Sequence, residues 1–107
     1  MRTFTKLSIS FLILITFQIS SYSLAQELTA EDYLNRGIDN FDKGNYSEAI
    51  TDFTKAIEIN PDYSLAYFNR GLAYAEIDNF SQACSDWQKA YQLGYKDALE
   101  LINKYCK

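Results

Sequence analysis

Two constellations in this 107-residue chain have the residue types to do specific chemistry. One is the pair Cys84 and Cys106, the only cysteines present. The other is a doubled arginine–aspartate couple, Arg36 with Asp52 and Arg70 with Asp86, each spanning 16 residues. Cysteines can form a disulfide, pack as small hydrophobes, or cycle as a redox dithiol. An arginine can hold a carboxylate of its own chain or an outside anion. Histidine is absent, which excludes Ser/His and Cys/His dyads and imidazole-ligated metals. Carboxylates are many, yet they are spread as helix charges, with no close pair in a loop and no glycine-rich phosphate loop. No catalytic residue, metal ion, cofactor or small-molecule substrate is expected.

The elements that must position these groups come in two copies. The stretch Tyr33–Pro61 recurs 34 residues later as Tyr67–Tyr95, with ten of 29 aligned positions identical, against roughly two expected from average composition. Among the ten are Gly37/Gly71, Ala49/Ala83, Ala56/Ala90, Arg36/Arg70 and Asp52/Asp86. A period of 34 predicts a stacked-repeat protein, in which each unit buries its apolar face on its neighbours. Inside each copy, apolar and small residues recur at steps of three and four, the helical period. Tyr33, Gly37 and Phe41 form one stripe of the first copy, and Ala49, Phe53, Ala56 and Ile57 the next. Each copy is thus expected to be two amphipathic helices, turning at Lys43–Ser47 and Ile77–Ser81, where Asn or Ser can cap the following helix. Asn60-Pro61-Asp62 punctuates the join, with Pro suited to a first helical turn.

The two ends differ from the repeat. Arg2 and Lys6, an apolar run from Leu7 to Ile19, and the small-x-small site Ser23-Leu24-Ala25 make residues 1–25 a cleavable secretory signal. A membrane anchor needs about 20 apolar residues, and this run is shorter and interrupted by Ser8, Ser10, Thr16 and Gln18. Cleavage near Ala25 would release a soluble chain into the periplasm or the extracellular space. Membrane contact is then expected only through an uncleaved signal. From Gln26 onward eight Lys and Arg face 14 Asp and Glu, a net charge of −6. That balance repels phosphate backbones, so nucleic acid is not an expected partner. At the other end, Gly94 suits a helix C-terminus, and Asp97–Cys106 reads as one more helix, opened by Asp97 with Glu100 three residues on.

Taken together, these spaced features resemble the tetratricopeptide repeat (TPR). They are an aromatic (Tyr33, Tyr67), Gly four residues later (Gly37, Gly71), an aromatic after the turn (Tyr46, Phe80), Ala (Ala49, Ala83), an aromatic (Phe53, Trp87), Ala (Ala56, Ala90) and Pro61. The second copy has Gly94-Tyr95 where the first has Asn60-Pro61. The resemblance implies an all-α superhelical array: one helix-turn-helix unit over 30–63, a second over 64–96, and a capping helix over 97–107. It also implies a concave groove lined by the first helix of each unit and holding a peptide. Carried over by position, the groove would include Leu34, Asn35, Ile38, Phe41, Leu65, Phe68, Asn69 and Leu72. Some family members clamp a C-terminal carboxylate with Lys and Asn on these helices. Here Leu34, Leu99 and Ile38 occupy three of those positions and only Asn69 remains, so such a clamp is disfavoured. What is left is an apolar strip rimmed by acid, suited to an apolar or basic segment. The same side chains would also serve simply as packing between helices, and the sequence leaves the two readings open.

Within that frame the two constellations acquire geometry. Cys84 and Cys106 each lie 11 residues from Tyr95, so antiparallel helices turning there would bring them level. In an exported chain a disulfide is the favoured reading, closing a loop of about 20 residues at roughly 3 kcal/mol of chain entropy. Two buried thiols remain the plainer alternative, and a redox dithiol lacks the CxxC spacing. Arg36 and Arg70 would likewise stand level with Asp52 and Asp86 across the turn, as structural ion pairs. The functional expectation is a protein-interaction module of the bacterial cell envelope or secreted space. Its rivals are a self-assembling structural protein and, more remotely, a thiol redox protein. Oligomerisation, the partner and the pathway are not legible in the residues.

Overall fold

The computed structural model describes residues 27–107; the expected export signal, 1–25, lies outside the described residues. The described residues form five helices and no strand: α1 (Ala30–Asp42), α2 (Tyr46–Ile59), α3 (Ser64–Glu76), α4 (Phe80–Gln92) and α5 (Ala98–Tyr105). Each packs on the next in chain order, giving the all-α array with a closing helix that the 34-residue echo implies. None of these helices is long and apolar enough to cross a membrane.

The turns follow backbone chemistry. Gly44 at φ +79° and Gly94 at φ +98° take the left-handed conformation that glycine adopts without a Cβ penalty. In the second copy the place of Gly44 is held by Asp78, at φ +60°, one of the few other residue types that tolerate it. α1 begins with a full capping box: the Thr29 hydroxyl accepts from the Asp32 N–H (3.1 Å), and the Asp32 carboxylate accepts from the Thr29 N–H (2.9 Å). Those two bonds, the backbone one foremost, hold the Asp32 carboxyl below its ordinary pKa. Their contribution to stability is therefore present above the ordinary carboxylate pKa and fades as pH falls through the lowered one.

Three local expectations are corrected. Asp97 does not cap α5 through its side chain; its backbone is already helical (φ −63°, ψ −20°), whereas a capping residue adopts non-helical angles. Asn79 caps α4 by accepting from the Gln82 N–H at 3.3 Å, whereas Asn45 makes no equivalent bond to α2. Pro61 sits in a turn closed by Tyr63 N–H donating to the Asn60 carbonyl (3.1 Å), three residues ahead of α3 rather than in its first turn.

Two core clusters hold the array. Phe53 is the fully buried bulk of the first, packed among Leu34, Ala49, Ala56, Ala66 and Ala73; Trp87 is that of the second, among Ala83, Ala90 and Ala98. The small residues permit close helix approach, and the repeated glycines permit the closest. A Cβ on Gly37 would fall 2.5 Å from Cε1 of Phe53, and one on Gly71 would fall 2.5 Å from Nε1 of Trp87 and 3.2 Å from the Ala83 carbonyl. The indole N–H is buried with no acceptor, so it is held there by packing alone. Gly71→Ala is expected to lower stability by about 1–2 kcal/mol, overpacking outweighing the gain in helix propensity. A denaturation midpoint at or above that of the parent would show that α3 and α4 do not approach this closely.

The two copies part company on their outer sides. In α3, Ala66 and Ala73 are fully buried in the first core cluster, where α3 meets α2. The matching positions of α1 are Asp32 and Asp39, both exposed, the first in the capping box and the second 3.0 Å from Lys43 Nζ. A helix seated on α1 as α2 sits on α3 would have to bury both carboxylates. The N-terminal side of the array is therefore a solvated end, not an open joint.

Candidate functional site

The first helix of each pair, α1 and α3, carries the expected binding face, and its residues fall into distinct environments. Leu34 is a correction: at 4% exposure it belongs to the first core, because α1 must turn its leucine toward Phe53 and α3 to close that cluster. Ile38, Phe41 and Leu65 are half-buried and pack onto the same cluster, with Phe41 edge-on to Tyr46 at 5.2 Å. Phe68 and Leu72 do the same for the second cluster; the Phe68 ring meets Tyr95 at 4.6 Å, so much of its surface is already taken. Asn35 is exposed and Asn69 half-buried. The face thus consists of half-buried apolar side chains that keep an outer edge, with Asn35 and Asn69 beside them as backbone-bonding amides.

The arginine–aspartate couples lie between the helices of each pair. Arg36 donates through Nε (2.9 Å) and Nη2 (2.6 Å) to Oδ1 of Asp52, whose Oδ2 accepts from Asn40 at 2.8 Å. Arg70 grips Asp86 with both ends of its fork, Nε to Oδ2 and Nη2 to Oδ1, each at 2.8 Å, and adds Nη1 to the Thr54 hydroxyl at 3.2 Å. Both aspartates are buried. The two arginines differ: the Arg36 side chain is 53% exposed and the Arg70 side chain 18%, because only Arg70 has a preceding helix, α2, to lie against. The guanidiniums also rest near tyrosine rings, Arg36 5.0 Å from Tyr33 and Arg70 5.7 and 5.9 Å from Tyr67 and Tyr74. The aspartate hydrogen bonds push both guanidinium pKa values further up, so neither arginine loses charge.

Cys84 on α4 and Cys106 after α5 stand at disulfide distance with Cα atoms 5.6 Å apart. Their place ties the closing helix to α4. Among the described residues no group of three or more Cys, Asp or Glu is arranged to hold a metal ion.

Where α3 ends and α4 begins, a cleft of about 310 Å³ opens against α5, lined by Leu72, Ala75, Glu76, Asp78, Phe80, Trp87, Leu101 and Tyr105. Phe80, the first residue of α4, stays exposed there beside Tyr105 at the end of α5. Repeat spacing carries no signal for the cleft, since it arises where the repeat stops.

A family model described as TPR repeat matches residues 39–78, from the last turn of α1 through α2 to the end of α3. No curated protein matches the chain. The matched unit, the doubled pattern of small and aromatic residues, and five consecutively packed helices support a TPR-type repeat architecture for this chain.

Proposed function

We propose that this protein is an exported interaction module that holds a segment of another protein along the first-helix face of α1 and α3, in the cell envelope or outside the cell. Repeats of this family generally bind proteins or peptides and are generally non-catalytic. The observation that carries the reading is the mixed face itself, where Ile38, Phe41, Leu65 and Leu72 keep an accessible edge beside the amides of Asn35 and Asn69. Apolar edges contribute affinity, and amides bond the backbone of an extended segment without regard to its side chains.

Self-assembly by stacking is the weaker reading. Asp32 and Asp39 seal one end of the array, and α5 packs on the Trp87 and Ala90 cluster of α4 at the other. A redox role is weaker still, since the cysteines are 22 residues apart in sequence and serve to anchor a helix.

The export part is tested by the N-terminus of the protein recovered from the envelope or medium, expected at Gln26. An intact Met1 on the soluble form would refute it. The binding part is tested by capture from an envelope extract, comparing the parent with an Asn35→Ala/Asn69→Ala variant. A specific partner lost in the variant is expected; no partner, or equal capture by both, would end this assignment of the face.

A further inference from the structure

We infer that the cleft between the end of α3, the start of α4 and α5 is an arginine pocket, receiving a guanidinium from the bound segment; this rests on the protein-binding reading above and names the chemistry of its partner. The floor is apolar, made by Leu72, Ala75, Leu101 and the buried Trp87. One wall is the exposed pair Phe80 and Tyr105, their rings stacked with centroids 5.5 Å apart. The rim carries Glu76 and Asp78, both exposed and neither ion-paired among the described residues. Aliphatic floor, aromatic wall and carboxylate rim match, in that order, the methylene stem, the flat face and the charged edge of an arginine side chain.

The molecule uses the same combination twice for its own arginines. Arg36 lies by Tyr33 and bonds Asp52; Arg70 lies by Tyr67 and Tyr74 and bonds Asp86. In the cleft the aromatic and acidic parts recur without an arginine. The Lys104 ammonium lies 5.1 Å from the Tyr105 centroid, so that ring is already flanked by one cation and Phe80 is left as the aromatic partner. Net charge adds to the local effect: at −6 from Gln26 onward, the surface attracts a basic segment before contact is made. The position fits as well, because Leu72 belongs both to the first-helix face and to the cleft, so a segment lying along α1 and α3 passes the opening.

Trp87 is the only tryptophan, so its fluorescence reports on the cleft directly. The probes are three blocked tripeptides, acetyl-Leu-X-Leu-amide, with X arginine, lysine or citrulline, titrated into the purified protein. Citrulline keeps the shape and planarity of arginine but carries a neutral urea, so it loses the charge and exchanges one donor group for a carbonyl acceptor. The arginine peptide is expected to bind about tenfold more tightly than the citrulline peptide, and more tightly than the lysine peptide. A Glu76→Gln/Asp78→Asn variant, in which Asn tolerates the positive φ as Asp does, should reduce the arginine–citrulline ratio to below about twofold, by loss of both charge-assisted bonds. Equal binding of arginine and citrulline, equal binding of arginine and lysine, no binding of any peptide, or an undiminished ratio in the variant would each overturn the assignment. These failures are distinguishable from failure of the broader reading. A partner whose capture needs Asn35 and Asn69 but is indifferent to Glu76→Gln/Asp78→Asn would leave the interaction module standing without an arginine pocket.

Discussion

Asp86→Ala is expected to destabilise the protein by about 3 kcal/mol, and Asp52→Ala by clearly less, although the two aspartates occupy the same position of the repeat. Removing one member of a buried pair leaves the other charge desolvated without compensation, which typically costs about 3–5 kcal/mol. Arg70 meets that condition: its side chain is 18% exposed and hemmed in by α2 and two tyrosines, and Asp86 is its bidentate partner. The Thr54 hydroxyl at 3.2 Å is a single neutral acceptor and compensates only in part. Arg36 is 53% exposed, so water can take over the bonds that Asp52 gives up. Chemical denaturation of the two variants side by side decides the matter. Equal losses, or a larger loss at Asp52, would mean that the covering of Arg70 by α2 has no energetic weight.

Opening the link between Cys84 and Cys106, by reduction or by Cys84→Ser with Cys106→Ser, is expected to cost about 3 kcal/mol, from the entropy of a loop of this length. For a domain of this size that is a large share of the total. The loss has a location. α5 is eight residues long, too short to persist as an isolated helix, and it holds to α4 through Ala98, Leu101 and Ile102 against the Trp87 cluster. Once released, it would free the backbone at the already exposed Lys96 and Lys104 for trypsin, and expose Trp87 to water. Midpoints measured with and without reductant, together with limited proteolysis, test this. A midpoint unchanged by reduction would show that the closing helix is held by packing alone, and free alkylation of both thiols in the untreated protein would show that they are not joined.

Much of this architecture is legible in the residues because the repeat states it twice. The three-and-four periodicity marks the helices, and small residues recurring opposite aromatics mark where helices touch: Gly37 against Phe53, Gly71 against Trp87. The separation of 16 between Arg and Asp is legible for the same reason, since a turn near its midpoint brings the two level. Leu34 was beyond reach because a helix with apolar residues on adjoining sides does not reveal which side meets the next unit; that depends on how α3 docks. The silent side chain of Asp97 reflects one backbone angle rather than residue type. The cleft lies where α3, α4 and α5 meet, and the residues beyond Gly94 no longer follow the pattern that would have exposed it. Periodic features thus survive translation into structure, and the features that break the period had to be seen.

The contrast between Ala66 and Ala73 on α3 and Asp32 and Asp39 on α1 sets how such a module can grow. A further helical pair duplicated into the joint at Asn60–Tyr63 would meet small apolar surfaces on both sides and join the stack at once. The same pair placed ahead of Thr29 would meet two hydrated carboxylates and remain a separate body on a tether. Lengthening by tandem duplication is therefore open from the middle and closed from the front.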